Sequence, residues 1–112
     1  MHKYKLSPTD IKDLITGLGG CLASIRITVD GAKVRFMYRE EPDNEFDSGW
    51  RFMAGDEDDE FLDNPDNCEV YDVNTIANYD PSIISYLKAP IGSAFEREDA
   101  ADDFEEIELG ED

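Results

Sequence analysis

Acid–base, nucleophilic or metal chemistry needs particular side chains brought together, and this chain offers few. The sole histidine, His2, lies at the very start of the sequence. A terminal histidine leaves Ser-His-Asp and Cys-His catalysis without a well-held base. Cys21 and Cys68 are far apart and form no Cys-x-x-Cys pair. With one terminal histidine they do not make a zinc set, and they read as free thiols of a reducing compartment. Gly17-Leu18-Gly19-Gly20 lacks the preceding strand and the lysine of a phosphate loop, so it reads as a helix stop.

The remaining candidate is acidic. Gly55-Asp56-Glu57-Asp58-Asp59-Glu60 can be tested as a calcium loop starting at Asp56. The sixth position would then be Phe61, where an EF-hand needs glycine. The twelfth would be Asn67, where it needs glutamate. The pattern fails. An irregular carbonyl-and-carboxylate site that includes Asp63 and Asp66 stays open, beside a solvated loop and a partner-facing patch. A hydrolase with paired carboxylates also stays open, but 28 acidic residues make the presence of two uninformative. Catalytic acids need a pocket and a shifted pKa, and the sequence places neither. No catalytic, cofactor-binding or metal-ligating residue is assigned.

Charge narrows the partners. The 28 acidic and 10 basic side chains give a formal net charge of -18 over 112 residues. Such a chain repels nucleic-acid phosphates and anionic lipid headgroups, and it finds positively charged partners quickly. No apolar run approaches the ~20 residues of a membrane span. No signal peptide is legible, because Pro8, Thr9 and Asp10 fall where an apolar stretch should be. The expected location is the cytoplasm.

These side chains must be positioned by one domain of modest core. Ser7-Pro8-Thr9-Asp10 predicts a helix start. Ile11, Leu14, Ile15 and Leu18 then form one apolar face, and Gly17, Gly19 and Gly20 end the helix. Residues 23–38 read as a β-hairpin that turns at Asp30-Gly31. Ile25, Ile27, Val29, Val34, Phe36 and Tyr38 face the core, with Arg26 and Arg35 in solvent.

Ser48–Ala54 is a third strand, with Trp50 and Phe52 inward. Gly49 suggests a bulge or a close backbone approach. Val70–Val73 is a short extended or helical piece. Asp72 is expected to cap a helix over Val73–Asn78. Asp80-Pro81 is expected to start a second one that turns Ile83, Ile84 and Leu87 inward and closes at Pro90. Ile91–Arg97 is expected as the last strand. The expected fold class is α+β: a small antiparallel sheet with a β-hairpin and two or three short helices over residues 1–97. Residues 98–112 hold nine acidic side chains and no basic one. They read as a tail, disordered or marginally helical, whose removal should cost no more than about 1 kcal/mol.

Several motifs together resemble a known family. They are Asp47-Ser48-Gly49-Trp50-Arg51-Phe52, Gly55-Asp56-Glu57, Asp63-Asn64-Pro65-Asp66-Asn67, Tyr71-Asp72-Val73-Asn74-Thr75-Ile76-Ala77-Asn78, Asp80-Pro81 and Gly92-Ser93-Ala94-Phe95-Glu96-Arg97. The string resembles a bacterial domain, long of unassigned function, that is grouped with the immunity proteins of polymorphic toxin systems. The resemblance covers roughly residues 20–97. It implies an α+β fold and a role in binding a toxin, and it leaves the acidic tail outside the domain.

The expectation is an acidic protein-binding module, not an enzyme, with no cofactor. Its partner is a protein with a basic surface, a toxin if the resemblance carries over, and neither nucleic acid nor membrane. The expected partner-binding residues are Trp50, Asp56, Glu57, Asp58, Asp59, Glu60 and Asp63, a loop set on a rigid sheet. Two alternatives stand beside it. One is an inhibitor that mimics nucleic-acid phosphates, and the other is a carboxylate- or metal-dependent enzyme with a pocket near Asp47, Asp56 or Asp63.

Overall fold

Alternating apolar side chains build the longest strand, and the rest of the molecule is arranged around it. The computed structural model describes residues 4–108. His2 and residues 109–112 lie outside the described residues. The strands are β1 (Gly20–Ser24), β2 (Phe36–Arg39), β3 (Asp47–Met53), β4 (Cys68–Asp72), β5 (Ser93–Glu96) and β6 (Glu105–Glu108). The helices are α1 (Ile25–Thr28), α2 (Asp59–Asp63) and α3 (Val73–Tyr79), with 3₁₀ turns at Pro8–Asp10, Pro65–Asn67 and Pro81–Tyr86. The α+β class is as expected. The sheet has six strands in the order β4-β1-β3-β2-β5-β6. It is mixed: β1 runs parallel to β3, and the other pairs are antiparallel.

Register sorts the side chains onto two faces. Ala23 pairs with Phe52, Phe52 with Met37, and Met37 with Phe95. This row meets Ile27, Val73, Ile76, Ile83 and Leu87 in one buried cluster. The Trp50 ring stacks on Phe52, with centroids 5.9 Å apart, and its indole N–H donates to the Leu87 carbonyl at 3.1 Å. Large rings with a satisfied polar group account for much of such a core. The expected caps form. Asp72 accepts the Asn74 N–H at 2.9 Å, and Asp80 accepts the Ser82 N–H at 3.2 Å. Gly49 has φ +91°, and a Cβ there would run into the Glu40 carbonyl, so the close approach read from the sequence is present.

Several expectations are corrected. The helix over residues 7–20 is only a 3₁₀ turn at Pro8–Asp10. The Lys12 N–H is taken by the Asn78 side chain, and the Leu14 and Ile15 N–H groups by the Asn74 side chain. Tertiary acceptors replace the i−4 carbonyls a helix would use.

The Asp30-Gly31 hairpin is absent. Ser24 caps the single turn of α1 by accepting the Arg26 N–H, and Gly31, at φ +81°, follows that turn instead of joining two strands. In β2 the inward residue is Met37, while Phe36 and Tyr38 lie part-buried on the opposite face. A strand that is apolar on both faces does not announce which one is inward. Val29 and Ile84 are likewise only part-buried.

The strand placed last in the sequence reading, β5, is not the last. Residues expected to be a tail supply β6, which pairs with β5 from Ser93↔Glu108 to Glu96↔Glu105. Phe104 is buried against Tyr86 and beneath the Arg97 guanidinium, 4.1 Å from its ring centroid. Acidic composition hid this strand. Its acids stand at an edge in water, and only Phe104 and Ile107 turn towards protein.

Candidate functional site

The second face of the sheet carries a continuous row of side chains across all six strands. Val70 pairs with Leu22, Leu22 with Arg51, Arg51 with Tyr38, Tyr38 with Ala94, and Ala94 with Ile107. A second row, Met53, Phe36, Glu96 and Glu105, lies beside it across β3, β2, β5 and β6. The helical core is on the other face. Here Leu62 of α2 overhangs one corner and the loop between β2 and β3 borders another, while Arg51 and Ala94 within the row are buried.

Two clefts result. One of about 810 Å³ is lined by Leu22, Phe46, Arg51 and Val70, with Asp43, Glu45, Asp47 and Asp72. The other, about 560 Å³, is lined by Phe36, Tyr38, Met53 and Leu62, with Glu57, Glu96 and Glu98. Val70 is 74% exposed and Phe46 75%. Exposed apolar groups that are contiguous and ringed by polar ones mark interaction sites.

Arg51 sits between the clefts, and its side chain is 2% exposed. Its Nε donates to Glu40 at 2.6 Å, and its Nη2 to Asp47 at 2.8 Å. Asp43 lies 3.8 Å from Nη2. The Arg51 guanidinium holds the Asp47 carboxyl well below the usual carboxylate range, and hydrogen bonds from the Asp43 and Gly49 N–H groups add to this. In return, the bonds to Asp47 push the Arg51 pKa upward. One cation therefore faces three carboxylates, and the neighbourhood stays negative. Burial pushes the Tyr38 hydroxyl pKa up, as it does for both thiols, Cys21 and Cys68. Raised thiol pKa values make poor nucleophiles.

The expected site residues divide. Trp50 is completely buried in the helical core and offers no surface to a partner, which corrects its place in the expected set. Its large ring is better held by Phe52, Phe95 and the Leu87 carbonyl than by water. Asp56, Asp58, Asp59, Glu60 and Asp63 are exposed, and Glu57 is half-buried. Three of the acids have local structural work. Glu57 accepts the Ala54 and Gly55 N–H groups at 2.7 and 2.9 Å, and Asp58 caps α2 by accepting the Phe61 N–H at 2.8 Å. Asp56 lies 3.5 Å from Nε of Arg26, whose guanidinium stands over the Phe61 ring. Among the described residues no group of three His, Cys, Asp or Glu side chains is placed to hold a metal ion, and no helix is long and apolar enough to cross a membrane.

Sequence reasoning missed Leu22, Phe36, Tyr38, Phe46, Val70 and Ile107. The available signal was aromatic alternation on the face of β2 opposite Met37, and a phenylalanine inside the acidic stretch 40–47. The residues that do carry the motif resemblance are mostly joints of the fold: Asp47 with Arg51, Asp72 at its cap, Asn74 on the N-terminal segment, and Asp80 with Arg97.

Fold and surface together define a small α+β domain in which α1 and α3 cover one sheet face and the other face combines exposed apolar groups with acids. The chain belongs to an immunity-protein family: the model of the Immunity protein Imm33 domain matches residues 21–108. The match begins in β1 and runs to the end of β6. It agrees with the immunity-protein resemblance carried by the motifs and extends it through the segment first read as a tail. Neither a curated protein nor a solved structure matches the chain.

Proposed function

We propose that this chain neutralises a cognate bacterial toxin by binding it directly, without catalysis of its own. The observation that carries the reading is the family match over residues 21–108, most of the described chain. The net charge of -18 supports it on physical grounds. A protein that must reach its toxin before damage is done benefits from electrostatic steering, and a basic toxin surface would supply the opposite field. The exposed acids Asp56, Asp58, Asp59, Glu60 and Asp63 would sit at the margin of the contact and raise the rate of encounter. The chain would act in the cytoplasm on a toxin of a polymorphic toxin system, and contact neither nucleic acid nor membrane.

The experiment clones the reading frames that neighbour this gene and co-expresses the chain with any that kills cells on induction. Cells carrying both should survive induction of the toxin. The purified chain and a catalytically inactive form of that toxin should form a stoichiometric complex in calorimetry. Survival without a complex would replace binding with an indirect mechanism. Neither survival nor a complex would reject toxin neutralisation.

A further inference from the structure

We infer that the sheet face opposite the helical core is the docking surface, and that its occupant is a toxin surface bearing lysine or arginine side chains around an apolar anchor. The inference rests on the toxin-binding reading above and adds the face and the chemistry it recognises.

Three observations lead there. First, the described residues leave six large hydrophobic side chains exposed, and three of them, Phe46, Leu62 and Val70, border this one face. Second, Glu96 and Glu105 stand directly opposite each other on it, across β5 and β6. Like charges at opposed positions destabilise a sheet. A cation from a partner would turn that cost into an attraction. Third, the cations already on the face are occupied. Arg51 is held by Glu40 and Asp47, and Arg35 donates to the carbonyls of Ala54 and Glu98.

The charge chooses the occupant. A second copy of this chain would bring the Glu96–Glu105 pair and the Asp43–Asp47 rim against fields of the same sign. An anionic lipid surface would meet the same repulsion. A basic protein surface meets none. Long lysine and arginine stems can lie along Val70 and Leu22 while their heads reach the carboxylates of the Asp43–Asp47 loop. Apolar anchors surrounded by charge are the usual anatomy of a tight contact.

The test uses the full chain and an inactive form of the toxin identified by that co-expression, with affinity and association rate read across a salt series. Combining Phe46→Ser with Val70→Ser should weaken binding at least about tenfold, since both would leave anchor positions. Ser85→Arg, on the helical side, should leave binding unchanged. Glu105→Lys gives a readout that a merely structural role would not: it should raise the melting midpoint by relieving the clash with Glu96, yet slow association and flatten its salt dependence. If the serine pair lowers the melting midpoint, Glu105→Lys carries the test alone. Full affinity in a stably folded serine pair, or an unchanged association rate and salt slope in Glu105→Lys, would overturn the inference, as would loss of binding in Ser85→Arg alone. So would sedimentation of the free chain as a dimer that the serine pair dissociates. A wild-type chain that never binds the toxin would instead reject the toxin-binding reading, and the occupant with it.

Discussion

The Asp80 carboxylate and the Arg97 guanidinium meet at 2.8 Å, with both side chains almost wholly removed from water. The pair is a junction. Asp80 also accepts the Val34 N–H at 2.9 Å and caps the 3₁₀ turn that follows it. Arg97 also donates to the Val34 and Asp102 carbonyls and lies on the Phe104 ring. Every charge and donor it buries has a partner, which is what a buried ion pair requires.

Removing one side of this pair strands the other. Asp80→Ala is therefore expected to destabilise the chain by about 3–5 kcal/mol. The double change Asp80→Ala with Arg97→Met should cost less than the sum of the two single changes. Urea denaturation of the four proteins measures the coupling. Additive losses would mean that the two side chains act independently.

A second prediction concerns acid. Asp47 is held by Arg51 with its pKa below the ordinary value of 3.8. A depressed folded pKa contributes stability that is present above the unfolded value and lost as pH falls through the folded one. The urea midpoint should thus drop below about pH 4, where unfolded aspartates begin to take up protons. Asp47→Asn should start lower at pH 7 and show a flatter decline between about pH 4 and pH 2. Parallel declines in the two proteins would place the acid sensitivity elsewhere.

The C-terminal segment should matter to stability, contrary to the expectation from its composition. Phe104 is buried between Tyr86 and Arg97, so Phe104→Ala should cost about 3–5 kcal/mol. Deleting residues 98–112 should cost at least as much, since it also removes β6. A thermal melt that hardly moves on deletion would show that β5 manages as an edge strand.

Elements whose signals are local were legible, and those decided by distant partners were not. The β3 alternation and the caps at Asp72 and Asp80 depend on neighbours within a few residues, and each formed as read. The segment after Asp10 has a helical pattern, but Asn74 and Asn78 compete for its N–H groups from more than 50 positions away. Gly31 needed a positive φ, yet a hairpin turn and a helix stop both supply one. The acidic loop was visible as charge, while its turn closure by Glu57 and its cap by Asp58 were not. The apolar face escaped notice because it is assembled from six strands, each contributing one or two residues.

The last prediction separates two uses of the acidic segment. Asp58 caps α2 and Asp56 stands by Arg26, so reversing either would disturb local structure as well as charge. Asp59, Glu60 and Asp63 are exposed, which makes them the cleaner probes. Reversing all three to lysine should leave the fold intact and slow association with the toxin, most strongly at low salt. The effect should fade as the Debye length shrinks from about 30 Å at 0.01 M to about 8 Å at physiological salt. Asp58→Ala is expected to do the opposite: lower stability by about 1 kcal/mol through the lost cap, and change the association rate far less. The dissociation rate should move little in the triple variant, because marginal charges act on encounter more than on the formed complex. Stopped-flow association across a salt series decides the matter. An unchanged rate and salt slope in the triple variant would mean that this loop serves solubility and the turn it closes, and that steering comes from the acids of the sheet face alone.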